Sequence, residues 1–461
     1  MTQLENLNQY FTENRERHLD EMKAFLAIPS ISSLSEHKDD MYKAANHLSD
    51  LLTAAGMENA TIHDTAGHPV VTADWLHAEG APTVLVYGHY DVQPVDPVEL
   101  WDSMPFEPEI RDNIMYARGS SDDKGQVFMH VKVLEAMLAS DEKLPVNVKV
   151  IFEGEEEIGS VHLDQFIADH KDYLKADVVL ISDTSLYAPG KPAVVYSLRG
   201  LTGIQIDVRT AKGDLHSGMY GGGVHNSIHV LADILASFHD ENGHIAVEGF
   251  YDNVLPISDD ERAAYAELGF DAEQMKEEAG VKTLFGEEGF SYLEQTWARP
   301  TLEINGVFGG FSGEGVKTVL PAQAGAKITC RLVPNQDPHE IVALLRAHVA
   351  KHQPEGVDIE ITEFDKGKPF IAPFDHPYVQ AAGHSYETQY DQKTAFIRSG
   401  GSIPIVSTFD EILAAPVIMM GFALSTENFH APNEHFHLEN FDKGLRVVSD
   451  YLTEIASIEK I

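Results

Sequence analysis

The sequence predicts a layered α/β domain with a largely parallel sheet, interrupted by a smaller inserted domain of ferredoxin-like α+β order. Three observations predict it. Through the first 200 residues the hydrophobic period switches repeatedly between helical and extended, as strands feeding crossover helices require. From Leu201 the order becomes β-α-β-β-α-β, the ferredoxin-like arrangement. After Gly367 the first style resumes.

The elements follow in chain order. Residues 2–28 and 40–56 carry apolar side chains at helical spacing, PVVTADWL, TVLVYGHY, VNVKVIFEG and ADVVLISD read as strands, and a helix follows Lys124. In the insert, LTGIQIDVRT is a strand, NSIHVLADILASF a helix, TLEINGVFGG and AGAKITCRLV strands, DPHEIVALLRAHVAKH a helix and VDIEITEF a strand. An acidic, partly helical stretch, 243–299, breaks this order and is assigned to no element. The last section gives a helix near 376–389, the strands KTAFIR and PVIMMGF, and a closing helix in NFDKGLRVVSDYLTEIASI. The expected boundaries are 1–200 with 368–461 for the α/β domain and 201–367 for the insert.

Composition narrows the function. At 461 residues and 43% hydrophobic content the chain can bury a large core and exceeds one comfortable domain. With 33 basic against 73 acidic residues the net charge is −40, which repels nucleic acid and anionic membranes. The single cysteine, Cys330, cannot form an internal disulfide or a Cys-rich zinc site. The opening residues show no basic segment leading into an apolar one, and no apolar run approaches the ~20 residues of a membrane span. A soluble, cytoplasmic protein is expected.

The chemistry sits at strand ends, where open α/β sheets gather their ligands. VLVYGHYD ends in His89 and Asp91; ARGSSDDKG carries Asp122; FEGEEEIGS carries Glu155, Glu156 and Glu157; VVLISD ends in Asp183. A distal stretch, ENFHAPNEHF, places His430 after the strand PVIMMGF. Each alone has an ordinary explanation: a packed histidine, an acidic helix start, a helix cap. Independent caps and acid patches have no reason to fall at successive strand ends. Two histidines and three carboxylates form a sensible ligand set. If Asp122 bridges two cations, His89 and Asp183 complete one shell, and Glu157 and His430 the other. Such mixed N/O sites suit Zn²⁺, with Mn²⁺ or Co²⁺ compatible, and two metals can share and activate one water. Asp91 is placed to hydrogen-bond the other nitrogen of His89 and hold its tautomer. Glu156, which neither shell needs, is the natural general base.

GHYDVQP, followed by WDSMPFEP, IRDNIMYARGSSDDKGQ, FEGEEEIGS, ISDT, DLHSGMYGG, CRLVPN, SGGSIP and ENFHAPNEHF, resembles the di-zinc metallopeptidase family M20, which includes carnosinase, carboxypeptidase G and succinyl-diaminopimelate desuccinylase. VEGFYDNVLPISDDE and the large insert resemble its carnosinase-like dipeptidase branch. The resemblance implies an inserted dimerisation or lid domain and two metals per chain held by His89, Asp122, Glu157, Asp183 and His430. It also implies Asp91 and Glu156 as catalytic carboxylates. Three consecutive glutamates permit a slip of one residue; Gly159-Ser160 favours this register. The resemblance further implies a homodimer in which His216 of DLHSG reaches the neighbouring subunit's site and stabilises the oxyanion. Arg331 and Ser402 match residues that hold a substrate's terminal carboxylate, with Thr318 a further candidate. The function implied is hydrolysis of dipeptides or short peptides with a free C-terminal carboxylate, through a metal-bridging water activated by Glu156. The rival readings are an N-acyl-amino-acid deacylase or desuccinylase on the same metals and, more remotely, a non-catalytic binding relative.

Overall fold

A computed structural model describes residues 3–458 apart from Glu142, Asp365 and Ser402. The chain divides into two compact units, Met1–Tyr196 with Ala372–Ile397 and Ile405–Ile461, and Ser197–Ile371 with Arg398–Pro404.

The first unit is built on a mixed sheet. Its centre is four parallel strands in the order Asn147–Glu153, Thr83–His89, Val178–Ile181 and Val417–Met420. These strands are buried almost throughout, which is why they read as largely apolar runs, interrupted in Asn147–Glu153 by Lys149, rather than as alternating ones. Outside them the pairing turns antiparallel. Val70–Trp75 and then Glu58–His63 flank one side, and Ala193–Leu198 flanks Val417–Met420 on the other. The helices Gln3–Leu26, Lys124–Asp141 and Leu438–Ile455 pack together, and Lys124–Asp141 lies against Thr83–His89 of this sheet. In the last of them Leu438, Phe441, Leu445, Val448, Leu452 and Ile455 recur every three or four residues and are all buried, the stripe of a one-sided helix.

Register places the strand ends at one level. His89 pairs with Glu153, and Tyr87 with Ile181, so the chain emerges from neighbouring strands side by side at His89, at the glutamates after Glu153, and at Asp183. A separate small sheet, Glu109–Arg111, Ile114–Tyr116 and His435–His437, joins two regions more than 300 residues apart.

The second unit carries an antiparallel sheet in the order Thr301–Gly309, Gln323–Leu332, Gly200–Arg209 and Asp358–Glu363. With the helices Ser227–Ala236 and Pro338–His352 this is the β-α-β-β-α-β order expected from the sequence. Ile204, Ile206 and Val208 alternate along the central strand and share a core with Val230, Leu231, Ile234, Ile341 and Leu345 of the helices. The stretch 243–299 holds the short helices Asp259–Glu267, Ala272–Ala279 and Tyr292–Trp297. No helix among the described residues is long and apolar enough to cross a membrane.

One buried group gives stability a pH dependence. His130, on the helix after Lys124, is buried with Nε2 2.8 Å from Ser182 Oγ, and burial pushes its pKa down to about 3. An unfolded histidine titrates near ~6.5, so between these values the unfolded chain binds a proton that the folded chain refuses. This contribution is present above ~6.5 and is lost as pH falls toward the folded value. In metal-free protein, unfolding free energy should therefore rise with pH between 4 and 6 by up to ~1.4 kcal/mol per unit more than in His130→Gln. Equal slopes in urea titrations would contradict it.

Candidate metal centre

Five side chains predicted from separate strand ends meet in the first unit as two overlapping groups. His89, Asp122 and Asp183 form one; Asp122, Glu157 and His430 form the other. Within each group the candidate ligand atoms lie within 4.8 Å of one another. His89 Nε2 is 3.2 Å from Asp122 Oδ1 and 3.9 Å from Asp183 Oδ2. On the other side His430 Nε2 is 3.0 Å from Asp122 Oδ2 and 3.1 Å from Glu157 Oε2. Asp122 therefore presents one oxygen to each imidazole.

His89 and Glu157 are held from behind. His89 is fully buried, and its Nδ1 lies 3.1 Å from the Asp91 carbonyl and 3.3 Å from Asp91 Oδ1. A proton on Nδ1 leaves Nε2 as the electron-pair donor. The two oxygens of the Asp91 carboxylate also accept from the backbone N–H groups of Glu156 (3.2 Å) and Glu157 (3.1 Å). One aspartate thus orients both the histidine and the turn that carries two glutamates. That turn, Glu156–Ile158, ends at Gly159 with φ +91°, a conformation that favours glycine. Glu155 is turned elsewhere: its carboxylate accepts from the backbone N–H of His68 and His162 and lies 2.9 Å from the His162 ring. His430 is half-exposed and sits at φ +57°, sparsely populated by residues with a side chain.

Charge fits this donor set to cations. Asp91, Asp122, Asp123, Glu156, Glu157 and Asp183 crowd two imidazoles. Burial, and then the balance of neighbouring charges, raises the Glu156 carboxyl to about 7, and burial with the charge of Asp123 pushes Asp183 well up. Burial alone would lower His89, yet the acidic oxygens of Asp122 and Asp91 hold it well above an ordinary histidine. Hydrogen bonding to Asp122 and Glu157 raises His430 to about 10. His89 Nε2, buried, has no partner in hydrogen-bonding geometry. Surplus negative charge and an imidazole nitrogen aimed at carboxylate oxygens are what divalent cations neutralise.

Four supporting residues were not singled out from sequence. Gln93 donates to Glu157 Oε2 at 2.9 Å and to the Glu157 carbonyl. Gln126 donates to the Ser121 carbonyl and accepts from Phe422 N–H, tying the Asp122 loop to the chain leaving Val417–Met420. Glu427 and Glu434 anchor the segment around His430. All four lay inside quoted motifs, GHYDVQP, SSDDKGQ and ENFHAPNEHF, but a side chain that serves a ligand carries no ligand-type signal of its own.

The remaining site candidates belong to the second unit. His216 is exposed on the short strand Leu215–His216, opposite Val319, with Nδ1 accepting from Gly218 N–H. Thr318, also exposed, accepts from Ser217 N–H, so these two candidates are neighbours in one ladder. Arg331 is partly buried on Gln323–Leu332, opposite Leu201 and Thr301. Ser402 lies outside the described residues.

Known proteins resemble the whole chain. The sequence profile of Peptidase family M20/M25/M40 matches residues 85–454. The Cys-Gly metallodipeptidase dug1 of Schizosaccharomyces pombe is 31% identical, with 99% of each chain covered. The human Beta-Ala-His dipeptidase is 29% identical over 99% of this chain and 93% of its own. Among solved structures, the M20 family metallo-carboxypeptidase Sso-CP2 from Sulfolobus solfataricus superposes with a TM-score of 0.84 at 33% identity, over 95% of this chain and 99% of that one. With a profile match across most of its length and a metal-ligand set at the strand ends, this chain belongs to Peptidase family M20/M25/M40.

Proposed function

We propose that this protein is a metal-dependent dipeptidase that hydrolyses the amide bond of dipeptides and short peptides ending in a free carboxylate, with Glu156 as general base. The observation that carries the reading is the sharing of Asp122 between two three-residue ligand groups. The similarity to Cys-Gly and Beta-Ala-His dipeptidases supports a two-residue substrate. When bound, two divalent cations held by these groups would polarise the scissile carbonyl and lower the pKa of a water, with Zn²⁺ suited to the donors and Mn²⁺ or Co²⁺ compatible.

The chain's own groups supply the rest. Glu156 takes the proton of the attacking water and passes it to the leaving amine. Asp91 fixes His89 and the backbone of both glutamates, so ligand and base keep their spacing. In the second unit Arg331 offers a guanidinium fork to the substrate's terminal carboxylate, with Ser402 and Thr318 as further contacts. His216 donates to the oxyanion of a neighbouring subunit's site in a homodimer. Exposed Ile304, Val307, Phe308 and Phe311, on and just after the edge strand Thr301–Gly309, support self-association, because an apolar edge left open invites another chain. Cytoplasmic residence is part of the same proposal, resting on the acidic, disulfide-free composition.

The test is a hydrolysis screen with Zn²⁺, Mn²⁺ and Co²⁺ that sets free dipeptides against C-terminally amidated dipeptides and N-acetyl and N-succinyl amino acids. Free dipeptides should give the highest kcat/KM; preference for the N-acyl amino acids would make the protein a deacylase. Arg331→Ala should cost free dipeptides ~10- to 100-fold in kcat/KM, the worth of a charge-assisted hydrogen bond, and amidated ones much less. Equal losses on both would remove Arg331 from carboxylate recognition.

A further inference from the structure

We infer that Glu434 is a positioning residue that ties the two metal positions into one unit, through the backbone of the aspartate they share. The inference rests on the two-cation reading above. Glu434 is fully buried. Its carboxylate accepts from the backbone N–H of Gly119 (2.9 Å), Ser121 (3.1 Å) and Asp122 (3.2 Å), from the Ser121 hydroxyl (3.2 Å) and from Arg118 Nη1 (2.7 Å). Its carbonyl accepts from Ala117 N–H at 3.1 Å, continuing the antiparallel pairing of His435 with Tyr116. One side chain therefore fixes the loop that delivers Asp122.

The same residue lies in the segment that delivers His430. Glu427 closes the other side of that segment, accepting from the N–H groups of Leu424 (2.8 Å) and His437 (2.9 Å) and facing His437 Nδ1 at 2.6 Å. His430 is thus carried between two buried carboxylate anchors. Displacing Glu434 loosens Asp122, which belongs to both ligand groups, together with the chain around His430. Gln93 supplies the contrast. Its amide donates to Glu157 alone, and Glu157 belongs to one group.

Every group that meets the Glu434 carboxylate is a donor. In Glu434→Gln one oxygen becomes an NH₂, which faces donors and leaves at least one of them without an acceptor. Supporting hydrogen bonds of this kind change metal affinity by about 10- to 100-fold.

Stepwise binding of Zn²⁺ and of Mn²⁺ to metal-stripped full-length protein, followed by competition with a chromophoric chelator, tests the inference. Wild type should take up two ions; fewer would sink the two-cation reading itself, before any variant is compared. Given two, Glu434→Gln should weaken both steps by about 10- to 100-fold, while Gln93→Leu weakens one. Both steps of Glu434→Gln within twofold of wild type, or a loss confined to one step, would overturn the inference. If Glu434→Gln does not fold without metal, Ser121→Ala removes one donor and should weaken both steps together by about two- to fivefold. Loss at one step only, or at neither, overturns it equally.

Discussion

Glu156→Gln should lose at least ~10²-fold in kcat while retaining both metal ions. The amide keeps the shape of the side chain but cannot accept the water's proton. Glu157→Gln should behave in the opposite way and lose metal occupancy, because its carboxylate is the one 3.1 Å from His430 Nε2 and held by Gln93. Both backbone N–H groups are bound by Asp91, so neither substitution removes the anchor of the turn. The check is metal content by elemental analysis beside steady-state kinetics on one dipeptide. Exchanged phenotypes would mean that ligand and base are assigned the wrong way round, and an effect of Glu155→Gln on metal content comparable to that of Glu157→Gln would bring the first glutamate back into the ligand set.

His216→Ala should lose about 10²- to 10³-fold in kcat, the cost of removing one oxyanion donor, with both metals retained. If the donor acts in the neighbouring subunit, two inactive variants should rescue each other. Mixing His216→Ala with Glu156→Gln under subunit exchange should regenerate up to about one working site per heterodimer, because one of its two sites receives both native residues. The measurement is activity against the fraction of heterodimer formed, using distinguishable tags. Heterodimer without recovered activity would return the oxyanion donor to the same chain as the glutamate. His216 is exposed on its own unit, and its Nδ1 accepts from Gly218 N–H, which leaves Nε2 to donate.

The sequence by itself determined the central strands, the inserted order of elements and the chemistry of the ligand candidates. Strands buried on both faces must be apolar throughout, so TVLVYGH and VVLI announce themselves, and a histidine or carboxylate ending such a run stands out against it. Several other strands gave no such signal. Glu58–His63 is largely exposed, and Ala193–Leu198 is separated from Gly200–Arg209 by Arg199 alone, with no turn residues to mark its end. His435–His437 is three residues long and exists as a strand because it pairs with Ile114–Tyr116 across more than 300 residues. Tertiary structure alone decided which partners each acid meets. Three adjacent glutamates are chemically equivalent in a sequence; they part because Asp91 grips the backbone of two and His162 engages the first. Glu434 was likewise one more acid beside a histidine until strand pairing set it against the Asp122 loop. Residue type reports what a side chain can donate or accept, whereas its partner is fixed by register and by contacts between distant segments, and those exist only once the chain has folded.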